Sequence, residues 1–376
     1  MRQRAIFASV LLLAGTLCAT APAHTWIVTE DPLTPDQVEQ LDSANSLLLM
    51  VPGISSGDLK ESRIFLERIR EEGGYELAVF YDWQADNPTR IVVSRTATEP
   101  AARHLVEFCA QYQRDKTGRA IDVIAHSAGS VVLNKGAQEI VQGDLPLRFR
   151  HVLLLGTALD ADESLDNLKV VSSSILNLHS AFDKVNHNIN DRNGLLAELD
   201  GPPYSNLQKD YSLGGRMMRH YVFLASNPEN RIGYSAYLTT GTWPAAEPPA
   251  AGTKASLIDL QRTAQWVRVH PEETNAITDR QIRDLLKCPD PDRQYYGAIF
   301  VNLLGKRQFT DELRTMLSNE DTPAYVRKEI YQALGSFEDP DLVRFLRRAV
   351  RRDAECSEEL RDIVRDLKRK RIRPSR

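Results

Sequence analysis

The segment IDVIAHSAGSVVLNKGAQ, residues 121–138, decides the fold of this chain. It begins with IDVIA, an almost wholly apolar run that is typical of a buried strand. The run that opens at Gly129, GSVVLNKGAQEIV, has small residues near its start and predicts a helix. Ser127 stands between the two, with Ala125 and Gly129 two residues away on either side. The pattern therefore predicts a strand, a sharp turn at Ser127 and a helix packed closely against it.

Apolar runs of strand length alternate with amphipathic helical patterns on both sides of this segment. This alternation is typical of an α/β fold with a doubly wound, mostly parallel sheet that helices cover on both faces. The predicted strands are residues 46–51, 76–83, 121–125, 151–157 and 174–179, and the predicted helices are residues 59–72, 99–114 and 129–141.

The first 23 residues have the pattern of an export signal. Arg2 and Arg4 precede the apolar run AIFASVLLLAG, and small residues up to Ala23 form an A-x-A cleavage site. We therefore expect residues 1–23 to be removed and the chain to be exported to the periplasm or secreted. A retained N-terminal anchor and a lipid attached at Cys18 are the alternatives.

A second boundary lies at TWPAAEPPAAGTK, residues 242–254, where proline and alanine predict an extended linker. It separates an α/β domain over residues 24–241 from an all-helical region over residues 255–376. Within that region Leu286 and Met316, Tyr295 and Tyr325, Leu304 and Leu334, and Gly305 and Gly335 each lie 30 residues apart. Such a period predicts stacked helical hairpins. The region resembles HEAT-type repeats, and an irregular helical bundle is the alternative.

The composition excludes few classes of function, but it gives no support to nucleic-acid binding. The chain has 376 residues, a net charge of −4 and a pI near 6.1, which gives no basic character overall. Its last residues, KRKRIRPSR, are basic, and they are either a contact for a polyanion or membrane surface or a solvated tail. Cysteine and histidine show no metal-binding spacing, so no metal is predicted. Cys288 and Cys356 are candidates for a disulfide, which the sequence leaves open.

Ser127 has two interpretations. As a nucleophile it needs a base that removes its proton and an acid that orients the base. As a structural residue it caps the helix that begins after it. The strand and the helix around it favour the nucleophile.

The nucleophile, the base and the acid together form a catalytic triad. Where the nucleophile lies on a turn between a strand and a helix, the acid and then the base follow it along the chain, so both are expected between Ser127 and the linker. Asp183 follows the predicted strand 174–179 and is the preferred acid, with Asp160 and Asp162 as rivals. His220, in LGGRMMRHYVF, is the preferred base. The other histidines are weaker candidates because of their positions in or beside predicted strands or close to Asp183: His151, His179 and His187.

Two backbone N–H groups are expected to bind the negative oxygen that develops during the reaction. One is that of Ala128, directly after the nucleophile. The other is that of Ile54, in the loop PGISSG after the strand 46–51, where Gly53 permits a close approach. An ordinary loop is the alternative at this second position.

VPGIS, FYDW, IAHSAG, HSAFDKV and RHYVF follow one another along residues 45–240, and together they resemble the α/β-hydrolase superfamily, its lipase- and esterase-like members above all. The resemblance implies an eight-stranded fold, a Ser127–His220–Asp183 triad and an acyl-enzyme intermediate. It implies a serine hydrolase for carboxylic esters, thioesters included, that needs no cofactor. The same triad also serves amide hydrolysis.

A function from another class remains open. The helical region would then bind a protein partner, and the α/β part would be a vestigial hydrolase without activity. The order of serine, acid and base favours the enzyme, and the reactivity of Ser127 separates the two hypotheses.

Overall fold

The structure is a computed structural model of the chain. It describes residues 24–29, 32–53, 59–83, 95–114, 118–159, 163–178, 227–245, 247, 255–270, 277–337, 339–357, 360, 361, 363–365 and 367.

Six strands form one sheet in which all neighbours are parallel, in the order β1-β3-β2-β4-β5-β6. The central strands are apolar along almost their whole length because helices cover both faces of the sheet. The strands are β1 (His24–Val28), β2 (Ser46–Val51), β3 (Leu77–Tyr81), β4 (Ala120–His126), β5 (Phe149–Leu155) and β6 (Ser172–Leu178).

The helices that surround the sheet are α1 (Pro35–Ser43), α2 (Leu59–Gly73), α3 (Arg95–Gln113), α4 (Gly129–Gln142), α5 (Asp166–Val171) and α6 (Pro228–Thr240). The helices that follow are α7 (Leu257–Val269), α8 (Asp279–Leu286), α9 (Pro291–Leu303), α10 (Thr310–Leu317), α11 (Ala324–Ser336) and α12 (Pro340–Ala349), with a short 3₁₀ helix at Arg307–Phe309.

Alternate residues of each strand point to opposite faces and form two separate cores. In β2, Leu47, Leu49 and Val51 pack toward α1, α3, α4 and α5. Leu48 and Met50 pack toward α2 and α6. The doubly wound parallel arrangement predicted from the sequence is therefore present, with six strands among the described residues.

The helical region contains the predicted helical pairs. α8 packs on α9, α10 on α11, and α9 lies against α11. The rings of Tyr295 and Tyr325, which are 30 residues apart in sequence, lie with centroids 5.9 Å apart. The paired glycines differ in role, because Gly305 has a positive φ of 61° after α9 whereas Gly335 lies inside α11 against Ile363. The period therefore reflects helix stacking, and its two glycines serve different needs.

α6 belongs to both parts of the molecule. Tyr234 and Leu238 pack on the sheet, whereas Ile232 packs in the core of the helical region. Arg231 bonds to Glu72 of α2 and, at 2.7 Å, to Asp292 of α9. The helical region is thus attached to the sheet by shared apolar and ionic contacts.

The described residues also bear on the predicted linker and on the disulfide that the sequence left open. Trp243, in the predicted linker, packs on α6 with its ring against Gly233, so the linker does not begin as a free segment. Cys288 and Cys356 are both free thiols, as is Cys109, so the disulfide left open by the sequence is not formed. Burial raises the pKa of the Cys109 thiol, which suits its role as a small apolar side chain.

Candidate functional site

Ser127 lies where the central strand β4 meets α4, at the carboxyl edge of the sheet. Its φ is 51°, in the left-handed region that costs a non-glycine residue about 1–2 kcal/mol. Ser127 and Asp144 are the non-glycine residues with positive φ in the described part of the chain. Such strain persists only where the surrounding structure enforces it, and it is concentrated at functional sites.

Backbone hydrogen bonds hold this turn in place. The Ser127 N–H donates to the carbonyl of Leu155 over 3.0 Å, and the Ser127 carbonyl accepts from the N–H of Ser130 at 3.1 Å and of Ala158 at 3.2 Å. The turn is therefore fixed both to its own helix and to the loop after β5. No described residue forms a hydrogen bond with the Ser127 hydroxyl, so among the described residues it is the backbone of Ser127 that holds the strained turn in place.

Ser130 and Thr157 strengthen the same connection. The Ser130 hydroxyl donates to the Ser127 carbonyl at 2.5 Å and lies 2.6 Å from the Thr157 hydroxyl. It also accepts from the N–H of Ala158 over 3.3 Å. Ser130 is fully buried, so these bonds replace water that it cannot reach. We infer that Ser130 and Thr157 position the turn at Ser127.

The loop after β2 lies directly against this turn. A Cβ on Gly53 would stand 2.6 Å from the Cβ of Ser127 and 3.1 Å from its hydroxyl oxygen. A Cβ on Gly129 would stand 2.1 Å from the Val51 carbonyl oxygen and 2.6 Å from that of Pro52. Glycine is thus required at both positions by a close approach of backbone segments.

Trp83 holds the loop from its other side. Its indole N–H donates to the Pro52 carbonyl over 2.8 Å, and the ring is almost fully buried. The sequence places Trp83 in FYDW directly after β3, the neighbour of β2. The loop that carries Gly53 therefore has a fixed position relative to Ser127.

The start of α4 adds backbone N–H groups near the serine. The N-cap residue is Ala128, and α4 has no side-chain cap, so the interpretation of Ser127 as a helix cap is wrong. No described residue accepts a hydrogen bond from the Ala128 N–H. The first N–H groups of a helix carry partial positive charge and attract anions. The geometry thus leaves the donor expected for a negative oxygen available beside Ser127.

The described part of the site joins Ser127, Ala128 and Gly53. The other predicted site residues lie outside the described residues: the base His220, the acid Asp183 and the second oxyanion donor Ile54. The rivals Asp160, Asp162, His179 and His187 also lie outside them. Sequence reasoning assigned no role to Ser130, Thr157 or Trp83. The signals that could have found two of them are the position of Ser130, three residues after Ser127, and the motif FYDW, which ends at Trp83.

A second polar cluster occupies the opposite, amino edge of the sheet. The Asp122 carboxylate is fully buried and accepts from the Tyr75 hydroxyl at 2.7 Å and from Nε of Arg150 at 3.0 Å. It also accepts from the backbone N–H of His151 over 3.0 Å. Burial and the Asp122 charge raise the pKa of Tyr75 well above its usual value, so the phenol remains a donor. These bonds satisfy a buried charge and connect β4, β5 and the start of β3.

His151 belongs to this second cluster. Its Nδ1 lies 2.8 Å from the Ser174 hydroxyl, which in turn lies 2.9 Å from the Tyr237 hydroxyl of α6. His151 is four residues before Leu155, which pairs with His126 beside Ser127, so it lies about 13 Å along the strand from that edge. The structure therefore removes His151 from the candidate bases.

Metal-binding clusters and membrane-spanning helices are both absent from the described residues. No group of three or more His, Cys, Asp or Glu residues there is arranged to hold a metal ion. No helix of the described residues combines the length and apolar character needed to cross a membrane.

The chain was also compared with known proteins. Neither protein-family models, nor curated proteins, nor solved structures gave a significant match. The features that bear on function are therefore the strained serine and the backbone segments packed around it.

Proposed function

We propose that this chain is a serine hydrolase that cleaves carboxylic esters or thioesters through an acyl-enzyme intermediate. The observation that carries the proposal is the positive φ of Ser127, at the carboxyl end of the central parallel strand, with its hydroxyl unused by the described scaffold. Ligand sites of open parallel sheets lie at this edge. A strained serine between strand and helix is the arrangement that exposes a nucleophile in α/β-hydrolases.

In the proposed mechanism Ser127 attacks the carbonyl carbon of the ester, and its proton passes to His220. Asp183 orients His220 and stabilises its charged form. The backbone N–H groups of Ala128 and Ile54 bind the oxygen as it becomes negative. His220 then gives the proton to the leaving alcohol or thiol, and water releases the acid by the same steps. No metal or organic cofactor takes part.

Two observations support the oxyanion site in this proposal. The Ala128 N–H has no acceptor among the described residues, and Gly53 approaches Ser127 so closely that the loop after β2 adjoins the nucleophile. Bonds from Ser130 and Trp83 fix the turn and the loop separately. Preorganised donors of this kind are effective because they need no rearrangement during the reaction.

The test is covalent labelling of the purified protein with a fluorophosphonate, which reacts with an activated serine whatever the natural substrate. We expect stoichiometric labelling, located at Ser127 by peptide mass spectrometry, and its loss in Ser127→Ala. Ser43→Ala changes an exposed serine at the end of α1 and is the matched control. Absence of labelling in the folded protein would contradict the proposal.

A second role is favoured by the stacked helix pairs α8 with α9 and α10 with α11. We propose that they form a HEAT-like surface for a protein partner, which would present a macromolecular substrate to the α/β part. If Ser127 proves unreactive, this binding role becomes the function of the chain. We propose further that the protein acts after export and removal of residues 1–23, which have the basic start, apolar run and A-x-A site of an export signal.

A further inference from the structure

The outer face of α12 is a stripe of arginines. Leu342, Val343, Leu346 and Ala349 are buried against the rest of the helical region. The exposed side of α12 and of the turn after it carries Arg344, Arg347, Arg348, Arg351 and Arg352, here called the arginine stripe. Because these arginines recur at intervals of three and four residues, their side chains project from one side of the helix.

The arginine stripe differs from the helices before it in its lack of counter-charge. Each arginine of α8 to α11 has a carboxylate oxygen within 3.9 Å: Arg280, Arg283, Arg293, Arg314 and Arg327. In α12 only Arg344 has such a partner, Asp341. Among the described residues, no carboxylate pairs with Arg347, Arg348, Arg351 or Arg352. In the described part of the helical region, Arg307 and Arg361 are also exposed without a carboxylate partner, but each stands singly, whereas the arginine stripe groups four unpaired arginines on one face.

Unpaired like charges on one helix face destabilise the helix. Arg344 and Arg348, Arg347 and Arg351, and Arg348 and Arg352 are each four residues apart, the spacing at which equal charges repel. The apolar packing of α12 does not require these arginines, because the buried side chains of α12 lie on the opposite face of the helix. The helix dipole favours positive charge at Arg347 and Arg348 in the last turn, which offsets part of this repulsion, but packing requires none of the four unpaired arginines, and their charge is available for binding.

Charge is also distributed unevenly along the chain. Residues 340–376 contain 13 Lys and Arg against 7 Asp and Glu, although the whole chain has a net charge of −4. The rest of the molecule is therefore acidic and would repel an extended polyanion that wraps around it. A flat anionic surface that touches the molecule at α12 alone avoids this repulsion.

We propose that the arginine stripe binds the surface of a membrane that contains anionic phospholipids. Guanidinium groups form paired hydrogen bonds with phosphate oxygens, and positive charge accumulates at an anionic bilayer. Half-buried Phe345 and Val350 lie beside the stripe but pack against the core of the helical region, so attachment rests on the arginine charges. Attachment through this face holds the helical region at the bilayer.

The experiment is flotation of the purified full chain with vesicles of phosphatidylglycerol and, separately, of phosphatidylcholine. We expect binding to phosphatidylglycerol alone, weakened by added salt. Replacement of Arg347, Arg348, Arg351 and Arg352 by Gln should lower the partition coefficient by roughly 100- to 1,000-fold, since each basic residue contributes separately near an anionic surface. The matching Lys variant keeps the charges and should retain most of the binding.

A control variant removes the same amount of charge elsewhere, by Gln at exposed positions Arg63, Arg103, Arg280 and Lys287. It should bind nearly as well as the wild type. An equal loss in this control, equal binding to phosphatidylcholine, or no vesicle binding by the wild type would overturn the proposal. Preference for duplex DNA over vesicles would assign the stripe to nucleic acid instead. If the fourfold variant does not fold, Arg351→Gln with Arg352→Gln, beyond the end of α12, should still lower binding about tenfold.

Discussion

The two edges of the sheet carry similar polar side chains in different roles, a structural cluster at the amino edge and the candidate site at the carboxyl edge. At the amino edge, Asp122, His151 and Ser174 are all engaged in hydrogen bonds, and none has a strained backbone among the described positions of positive φ. At the carboxyl edge, Ser127 is strained and its hydroxyl is unused by the described scaffold. Residue type alone therefore does not separate a structural cluster from a candidate site, whereas backbone strain together with an unused hydroxyl does.

The largest expected effect distinguishes the proposed catalytic carboxylate, Asp183, from the structural carboxylate, Asp122. Asp183→Asn should lower kcat for a small ester by roughly 10³–10⁴, because the proposed base, His220, would lose the carboxylate proposed to orient it. Asp122→Asn should leave kcat of the folded protein unchanged and lower stability by about 1–3 kcal/mol, since a buried amide cannot accept all the bonds that Tyr75, Arg150 and the His151 N–H donate to the carboxylate. Steady-state kinetics and urea unfolding measure the two effects. A loss below tenfold in Asp183→Asn would move the acid to Asp160 or Asp162.

Glycines at the two edges give the next comparison. Gly129→Ala should destabilise the fold by about 3 kcal/mol, because its Cβ would meet the carbonyls of Val51 and Pro52. Gly118, at the amino edge before β4, has open space around it and no positive φ, so Gly118→Ala should change stability by less than about 0.5 kcal/mol. Urea unfolding of both variants checks this. Equal effects would show that Gly129 is not constrained by the loop after β2.

Much of the α/β fold can be predicted from local sequence. The elements that were missed were missed for physical reasons. The strands at residues 46–51 and 121–125 were predicted within one residue of their bounds, because buried parallel strands are continuous apolar runs. β1 was missed, since HTWIV is short and directly follows the predicted export signal. α1 and α5 were also missed, and both are short helices.

α6 shows most clearly what sequence patterns omit. It is buried on almost every side, including its charged residues Glu229 and Arg231, so it has no apolar stripe to detect. The burial is possible because Arg268 bonds to Glu229 and because Glu72 and Asp292 bond to Arg231. These partners are between 39 and 159 residues away in sequence. At the candidate site the sequence identified Ser127, whereas the roles of Ser130 and Thr157 depend on a contact between α4 and the loop after β5.

Removal of one hydroxyl at each edge tests the positioning role of Ser130. Ser130→Ala and Ser174→Ala should each cost about 1 kcal/mol, because each removes hydrogen bonds from partners that keep at least one other bond. Only Ser130→Ala should also slow fluorophosphonate labelling, by roughly 10- to 100-fold, because the turn at Ser127 would shift. Equal labelling rates in the two variants would reduce Ser130 to a structural role. Ser130→Thr, which keeps the hydroxyl, should recover part of the rate.

The two residues with positive φ allow strain to be measured without side-chain contacts. Ser127→Gly should stabilise the protein by about 0.5–1 kcal/mol while it abolishes labelling, because glycine adopts this φ freely. Asp144→Gly, in the loop that leads to the amino edge, has φ 47° and should stabilise similarly with normal labelling. Thermal and urea unfolding provide the measurement. Destabilisation by Ser127→Gly would mean that the serine side chain is needed for the turn itself.

The smallest expected effect is a pH dependence at the amino edge. Burial lowers the pKa of His151, the Asp122 charge opposes this and Arg150 adds to it. Folding therefore favours neutral His151, and its contribution to stability is complete above the unfolded pKa of about 6.5 and is lost as the pH falls below that value. The free energy of unfolding should fall more steeply below pH 6.5 in the wild type than in His151→Gln, which keeps a side chain able to bond with Ser174. Because all other titrating groups are shared, parallel curves for the two proteins would show that His151 contributes nothing to this dependence. Labelling of Ser127 in His151→Gln should match the wild type, since the two edges of the sheet are chemically separate.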